Sequence, residues 1–460
     1  MLQTLKNAWN TKEIRNKILF TLLILLIYRV GTVIPVPFVE ANNFDAQFSG
    51  TILDYMNTLS GGALATATLF ALGVSPYINA SIIIQLLAIV FPRLGEIAKT
   101  DKSKMNFITR IVTVILALVT AIGYYFLLRN AGMLTKAATP GQNDMAWLYG
   151  IVIIACYCAG ASVIMFLAER INEKGIGNGI SLILFANIIS SIPSFVYQLV
   201  MVVIWSFSDS KSAGLYGTLA TVFAVLLLAI LIGTIIFVIW ITGSERRISV
   251  RYAKQIRGRK MYGGQNQNLP IKLNMTGVMP IIFASSIVSL VPTILAFSGV
   301  SQNNFWSRLF AADGVVYPVL LFLLIIGFAY FYAQISFDPI EVSNRIKNQG
   351  GTIAGIRQGK PTSDFIKSVL NKVTLVGALF LALIAVVPVV AGPHVIQHIL
   401  DWFEGGLNPG YNAGSSFYVS QLTGVFTFGG TTLLIMVGVV LETFRELEAQ
   451  LTMRNYKGFL

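Results

Sequence analysis

Gly73-Val-Ser-Pro-Tyr-Ile-Asn-Ala-Ser-Ile-Ile-Ile-Gln-Leu86 and Gly277-Val-Met-Pro-Ile-Ile-Phe-Ala-Ser-Ser-Ile-Val-Ser-Leu290 agree at eight of fourteen positions. Each opens on Gly, carries Pro three residues later and continues as an apolar run interrupted by Ser, Asn or Gln. They are either two copies of one unit or a chance likeness between apolar stretches. Working outward from them, ten apolar runs can be marked, at about 18–35, 74–91, 107–128, 147–168, 179–205, 217–241, 274–297, 315–337, 373–391 and 423–441. The quoted stretches fall in runs 2 and 7, the second of each set of five. Five is odd, so if every run crosses a bilayer the second set begins on the opposite face, which gives an inverted repeat. The expected fold is an all-α polytopic membrane protein. Its ten transmembrane helices form two inverted five-helix halves, residues 1–212 and 213–460.

Composition supports lipid as the solvent. Of 460 residues, 55% are hydrophobic and 12% charged, about half the charged share of a soluble chain, and the mean hydropathy is +0.72. Backbone polar groups in a bilayer must be paired within helices or a closed barrel. Runs of about 17–25 residues without strict alternation select helices. The formal charge of +13 is a matter of topology before it is a nucleic-acid footprint. Of the 33 Lys and Arg, 28 lie on the side of the N-terminus, four lie opposite (Arg129, Lys136, Lys211, Arg308), and Arg29 lies within run 1. By the positive-inside rule both termini are expected in the cytoplasm. Residues 1–17 are polar and basic, and run 1 has no small-residue cleavage site, so no cleavable signal is expected. Cys156 and Cys158 point to different faces of run 4 with no further ligand nearby, which reads as packing rather than metal or redox chemistry.

The runs are not alike. Run 2 carries Pro76, Asn79, Ser81 and Gln85; run 7 carries Pro280, Ser285, Ser286, Ser289 and Pro292; run 5 carries Asn187, Ser190, Ser191 and Pro193. Runs 6, 8, 9 and 10 are more uniformly apolar. Ser, Asn and Pro are better tolerated against other helices or a water-filled path than against lipid, so runs 2, 5 and 7 are expected at the centre. Before run 2, the stretch 60–73 is small-residue-rich and closed by Gly at its ends. It is too short to cross a core of about 30 Å. It reads as a short helix entering from outside, or as a helix lying on the interface. Loop 243–273 holds eight Lys and Arg against Glu245 alone, and loop 338–372 holds a Gly-rich basic run. Both either hold topology against anionic lipid or dock a large acidic partner.

Chemistry-bearing motifs fail in informative ways. Gly359-Lys360-Pro361-Thr362 has Pro361 where a phosphate loop needs Ser or Thr, and Ala354 where it needs Gly. Gly175-Ile-Gly-Asn-Gly179 lacks dinucleotide spacing. His394, His398 and Asp401 share one helical face, but Ile396, Ile399, Leu400, Trp402 and Phe403 make that segment an amphipathic interfacial helix before a metal site. No Asp or Glu lies near the middle of any run, whereas ion-coupled carriers usually need such a group. Intramembrane enzymes need a nucleophile with a base, or metal ligands. No catalytic residue, metal or cofactor is expected.

The order and wording of several strings resemble the SecY family. They are residues 60–87, Gly175-Ile-Gly-Asn-Gly-Ile-Ser181, 280–286, Gly355-Ile-Arg-Gln-Gly-Lys-Pro-Thr362, and the C-terminal stretches from Gly429 and from Glu448. The likeness covers nearly the whole chain, and the long Gly-rich segment 393–422 is its main departure. It implies an hourglass of two halves hinged at one side, opening between runs 2 and 7, with a ring of aliphatic side chains at the waist and a plug. Carried onto this chain, the ring is Val74, Ile78, Ile82, Leu184, Ile188, Ile282 and Ile435. The plug, about 60–73, includes Gly61, Gly62, Ala63, Leu64, Leu69 and Phe70. Asn79 and Leu290 are candidates at the lateral seam, and Arg251, Lys254, Arg257 and Arg357 at partner docking.

The resemblance also implies the SecE and SecG subunits, the SecA motor, the ribosome and secretory polypeptides as partners, and the plasma (inner) membrane as location. The implied task is to pass unfolded polypeptides across the membrane and release hydrophobic segments sideways. A greasy waist suits that task, because it excludes water and ions when closed and binds nothing strongly. The competing reading is an inverted-repeat secondary transporter of a small solute.

Overall fold

Sequences this apolar satisfy their backbone internally, and the chain does so with helices. The computed structural model describes residues 2–40, 52–136, 138, 145–208, 215–252, 255–257, 260–262, 266–275, 277–298, 305, 309–310, 314, 316–390 and 430–457. In chain order the elements are α1 (Leu2–Asn10), α2 (Lys12–Gly31), α3 (Ile52–Ser60), α4 (Ser75–Val90), α5 (Pro92–Thr100), α6 (Lys102–Asn130), α7 (Ala146–Lys174), α8 (Gly179–Ser208) and α9 (Leu215–Gly243). Then follow β1 (Glu245–Tyr252), β2 (Gln255–Arg257), β3 (Lys260–Tyr262), β4 (Asn266–Lys272), α10 (Met279–Phe297), α11 (Val316–Ser336), α12 (Pro339–Asn348), β5 (Gly351–Ile353), α13 (Lys360–Val390) and α14 (Thr431–Lys457). The segment 393–422, with His394, His398 and Asp401, lies outside the described residues.

Each apolar run overlaps one of these helices. Among the described residues, five helices are long and apolar enough to cross a membrane: Ser103–Asn130, Ala146–Lys174, Gly179–Tyr197, Val316–Asn348 and Lys360–Val390. α4 and α5 together make a sixth if the 118° bend between them is counted within one span. That bend sits at Phe91, where Pro92 removes an amide donor and pushes its predecessor into extended backbone. α9 presents Val222, Val225, Ile236 and Trp240 on its surface, an apolar exterior suited to lipid. One buried cluster instead gathers Val74, Ile78 and Ile82 with Ile183, Leu184 and Ile188, and with Ile282, Ala284 and Val288. The polar-interrupted runs 2, 5 and 7 thus meet at the centre.

The two quoted stretches have the same local backbone. Gly73 and Gly277 both sit at positive φ, +57° and +65°. α4 and α10 begin two residues later, each with Pro in the first turn, where its missing N–H costs nothing. Ile78 N–H donates to Val74 O at 3.0 Å and Ile282 N–H to Val278 O at 3.1 Å. Both isoleucines are buried to the same degree.

Two expectations are corrected. The fold is not purely α: β1 lies between β4 and β5 in an antiparallel sheet, with Ile248 opposite Leu269 and Arg251 opposite Thr352. β2 and β3 form a separate hairpin. Along β1, Ile248 and Val250 face inward and Arg247, Ser249 and Arg251 outward, the period-two alternation of a half-buried strand. Their partners in burial are Ile271, Ile346, Ile353, Ile366 and Leu370, so the two basic loops are one packed unit. The second correction concerns 60–73. It is not a helix but a run of turns following the helix α3. Gly61, Gly62, Ala67 and Gly73 all have positive φ, which a right-handed helix excludes.

Candidate functional site

The start of α4 contributes one face of the central cluster. Val74, Ile78 and Ile82 recur every four residues and so share one helical face. They are joined in the central cluster by Leu184 and Ile188 of α8, Ile282 of α10 and Ile435 of α14, all buried. Five of these seven, Val74, Ile78, Leu184, Ile282 and Ile435, line one cavity of about 50 Å³ together with Leu64 and Gly73. Ile82 and Ile188 belong to the cluster but not to the cavity wall. The space has room for a few waters and for no polypeptide.

Immediately against this cluster lies the turn segment. Ala63, Leu64, Ala65, Ala67, Phe70 and Ala71 are buried, while Gly61, Gly62 and Leu69 are half-buried. Small residues let helices come close: a Cβ on Gly160 of α7 would lie 2.0 Å from Leu69 O, and one on Gly31 of α2 would lie 2.0 Å from the Phe70 ring. Tyr28 stacks on Phe70 with centroids 5.5 Å apart. The hydroxyls of Tyr124 and Tyr157 donate to the carbonyls of Leu64 and Ala67. Thr293 of α10, whose hydroxyl lies 2.6 Å from Ser289 O in its own helix, sits 3.1 Å from Met56 Sδ, bringing α3 against run 7. The sequence reading did not single out Tyr28, Tyr124 or Tyr157. A buried Tyr facing a turn-rich segment supplies donors to its unpaired carbonyls, but only the fold shows which turn they face.

At the seam, α4 and α10 pack together. Asn79 is half-buried, and its Oδ1 has no hydrogen-bond partner among the described residues. Leu290 is exposed. The polar link of α4 is instead to α11: Tyr332 donates its hydroxyl to Gln85 Oε1, and Gln85 Nε2 donates to Ser81 Oγ at 3.0 Å. Ser285, which lines the cavity beside Ser286, donates its hydroxyl to Ile282 O at 3.0 Å within its own helix.

Two of the basic candidates lie on or next to the three-stranded sheet. Arg251 is exposed on β1, and Arg357 is exposed just beyond β5, where its carbonyl accepts from Thr362 Oγ1 at 2.7 Å. Arg257 ends β2, and Lys254 lies outside the described residues. Nearby, the Lys272 ammonium is held below the usual lysine range, first by burial and then by Arg445, with Glu245 pulling the other way. Among the described residues no cluster of His, Cys, Asp and Glu could hold a metal.

Comparison with known proteins agrees with this architecture. The SecY family model matches residues 68–444. The protein translocase subunit SecY of Streptomyces galbus is 38% identical over 476 residues, covering 100% of both chains. A solved SecY whose plug domain stabilises the closed channel superposes with a TM-score of 0.58 at 17% identity, over 94% of this chain and 91% of that one. Sec61 from a canine ribosome–channel complex does so with a TM-score of 0.54 at 16% identity, over the same shares. With full-length identity well above a third, this multi-pass membrane chain belongs to the SecY family of protein translocase subunits, pores rather than enzymes.

Proposed function

We propose that the chain is the protein-conducting pore of a general export channel. In this reading Val74, Ile78, Ile82, Leu184, Ile188, Ile282 and Ile435 form the closing ring, and residues 60–73 form the plug. The single observation that carries it is the cavity of about 50 Å³ where the aliphatic side chains of α4, α8, α10 and α14 meet the turn segment. An apolar throat of that size excludes ions by dewetting and leaves no pocket for recognising a solute. Ten helices cross the membrane in two inverted halves, 1–212 and 213–460, with both termini cytoplasmic. A hydrophobic segment parts α4 from α10 near Asn79 and Leu290, and its affinity for the parted state opens the channel. The test is a stalled secretory chain carrying a photo-crosslinker. It should be trapped on α4 and α10; exclusive capture on lipid-facing α9, or uphill uptake of a small solute by reconstituted protein, would overturn the reading.

Driving force comes from partners at the cytoplasmic face, a SecA-type motor or a ribosome, with SecE- and SecG-type subunits beside the pore. Arg251, Lys254, Arg257 and Arg357 are the docking residues. The reading is supported by the sheet register that puts Arg251 beside the strand preceding Arg357, so two sequence-distant loops offer one basic surface. Arg357→Glu is expected to cut motor-driven export by about tenfold or more, the loss of one charge-assisted contact plus a new repulsion, while resting ion leak stays unchanged. Equal export by the mutant, measured in inverted membrane vesicles, would exclude Arg357 from docking.

A further inference from the structure

The C-terminus of α3 points to a device that the ring and plug do not explain. α3 ends in a Schellman turn: Gly61 N–H donates to Thr58 O at 3.1 Å and Gly62 N–H to Asn57 O at 2.9 Å, with Gly61 at φ +70°. The turn satisfies Asn57 and Thr58 but leaves the Leu59 and Gly61 carbonyls at the negative end of the helix. Both are met from other elements. Asn187 of α8, fully buried, donates its Nδ2 to Leu59 O at 2.7 Å and to Tyr28 Oη at 2.8 Å. Arg29, in the last turn of α2, donates Nη1 to Gly61 O at 3.3 Å. The fit around Gly61 is close, since a Cβ there would lie 2.7 Å from Arg29 Nη1 and 2.8 Å from Asn187 Oδ1.

Resting on the plug reading above, we infer that Arg29 and Asn187 are positioning residues that latch the plug by capping α3 through its main chain. The grip reads carbonyls rather than side chains, so it senses where the segment sits and not what it is made of. It also acts through the state it opposes. When the end of α3 moves off with the segment, the Arg29 guanidinium and one of the two Asn187 amide N–H groups inside the bundle lose an acceptor, and unpaired polar groups at membrane depth are costly. The latch therefore makes the seated plug the default and places its set-point on α2 and α8, outside the plug.

The test uses the complete channel complex in membrane vesicles, in a Cys156→Ser, Cys158→Ser background. Leu64→Cys, buried in the segment, reports displacement by its labelling with an impermeant maleimide. Leu381→Cys, buried in α13, reports packing. Asn187→Leu, similar in size but without donors, and Arg29→Gln are each expected to raise Leu64→Cys labelling by about tenfold, the population shift that loss of one buried hydrogen bond brings. Leu381→Cys should stay protected, and Arg29→Lys should restore slow labelling. Unchanged labelling of Leu64→Cys in both mutants would overturn the latch, and so would equal exposure of Leu381→Cys, which would mark the two residues as general packing. If instead deleting residues 61–70 leaves resting conductance unchanged, the plug reading falls, while the labelling still reports whether these residues hold the segment.

Discussion

Deleting residues 61–70 is expected to raise the resting ion conductance of the channel by about tenfold or more while leaving it competent to pass a secretory polypeptide. The segment fills the space beside the ring with Ala63, Leu64, Ala65, Ala67 and Phe70, all buried. It is held by hydroxyls from α6 and α7 as well as by the contacts at Gly61. Removing it opens the cavity now bounded by Leu64, Leu72 and Gly73. Water entering there ends the dewetted barrier, and a shift of only about 1.4 kcal/mol between closed and leaky states already gives a factor of ten. Planar-bilayer recording of the purified complex measures it directly. A deletion channel as silent as the intact one would remove residues 61–70 from the seal.

Ile435→Asn and Ile282→Asn are expected to loosen the gate strongly, raising resting leak and allowing export of a reporter whose signal sequence is too weakly hydrophobic for the parent channel. Both side chains line the cavity and are almost fully buried. An amide of similar size placed there without a partner costs about 1–3 kcal/mol, and water that enters to hydrate it wets the throat. The closed state bears that cost more than an open, hydrated one, so the open population rises about tenfold or more. Ile183→Asn provides the contrast. Ile183 is equally buried but belongs neither to the proposed ring nor to the cavity wall, so its amide should lower accumulation of folded channel without the relaxed stringency. Normal leak and normal stringency in both Ile282→Asn and Ile435→Asn would exclude these positions from the ring.

What could be read along the chain was whatever depends on local order. Apolar runs of bilayer length located helices, because each helix satisfies its own backbone. Ser, Asn and Pro in runs 2, 5 and 7 marked the helices that pack inward. The match of Gly73–Leu86 to Gly277–Leu290 put Ile78 and Ile282 at equivalent positions, and the two share a backbone conformation and a cavity.

The misses share one cause. In 60–73 the small residues read as a helix, yet four positive φ angles make turns, because the fold supplies distant donors for the carbonyls that a helix would have paired. In loop 243–273 eight basic residues concealed a strand of which two side chains are buried, and the strand is stable only because Ile346, Ile353, Ile366 and Leu370, about a hundred residues away, cover it.

Sequence alone thus determined the solvent and the helices, since hydropathy and period are properties of neighbours in the chain. Tertiary structure decided which five side chains share the cavity, that Gln85 meets Tyr332, and that Arg29 and Asn187 meet the end of α3. The last three are contacts between residues 32 to 247 positions apart, and such contacts are set by packing and by the pairing of buried polar groups, which no local pattern encodes.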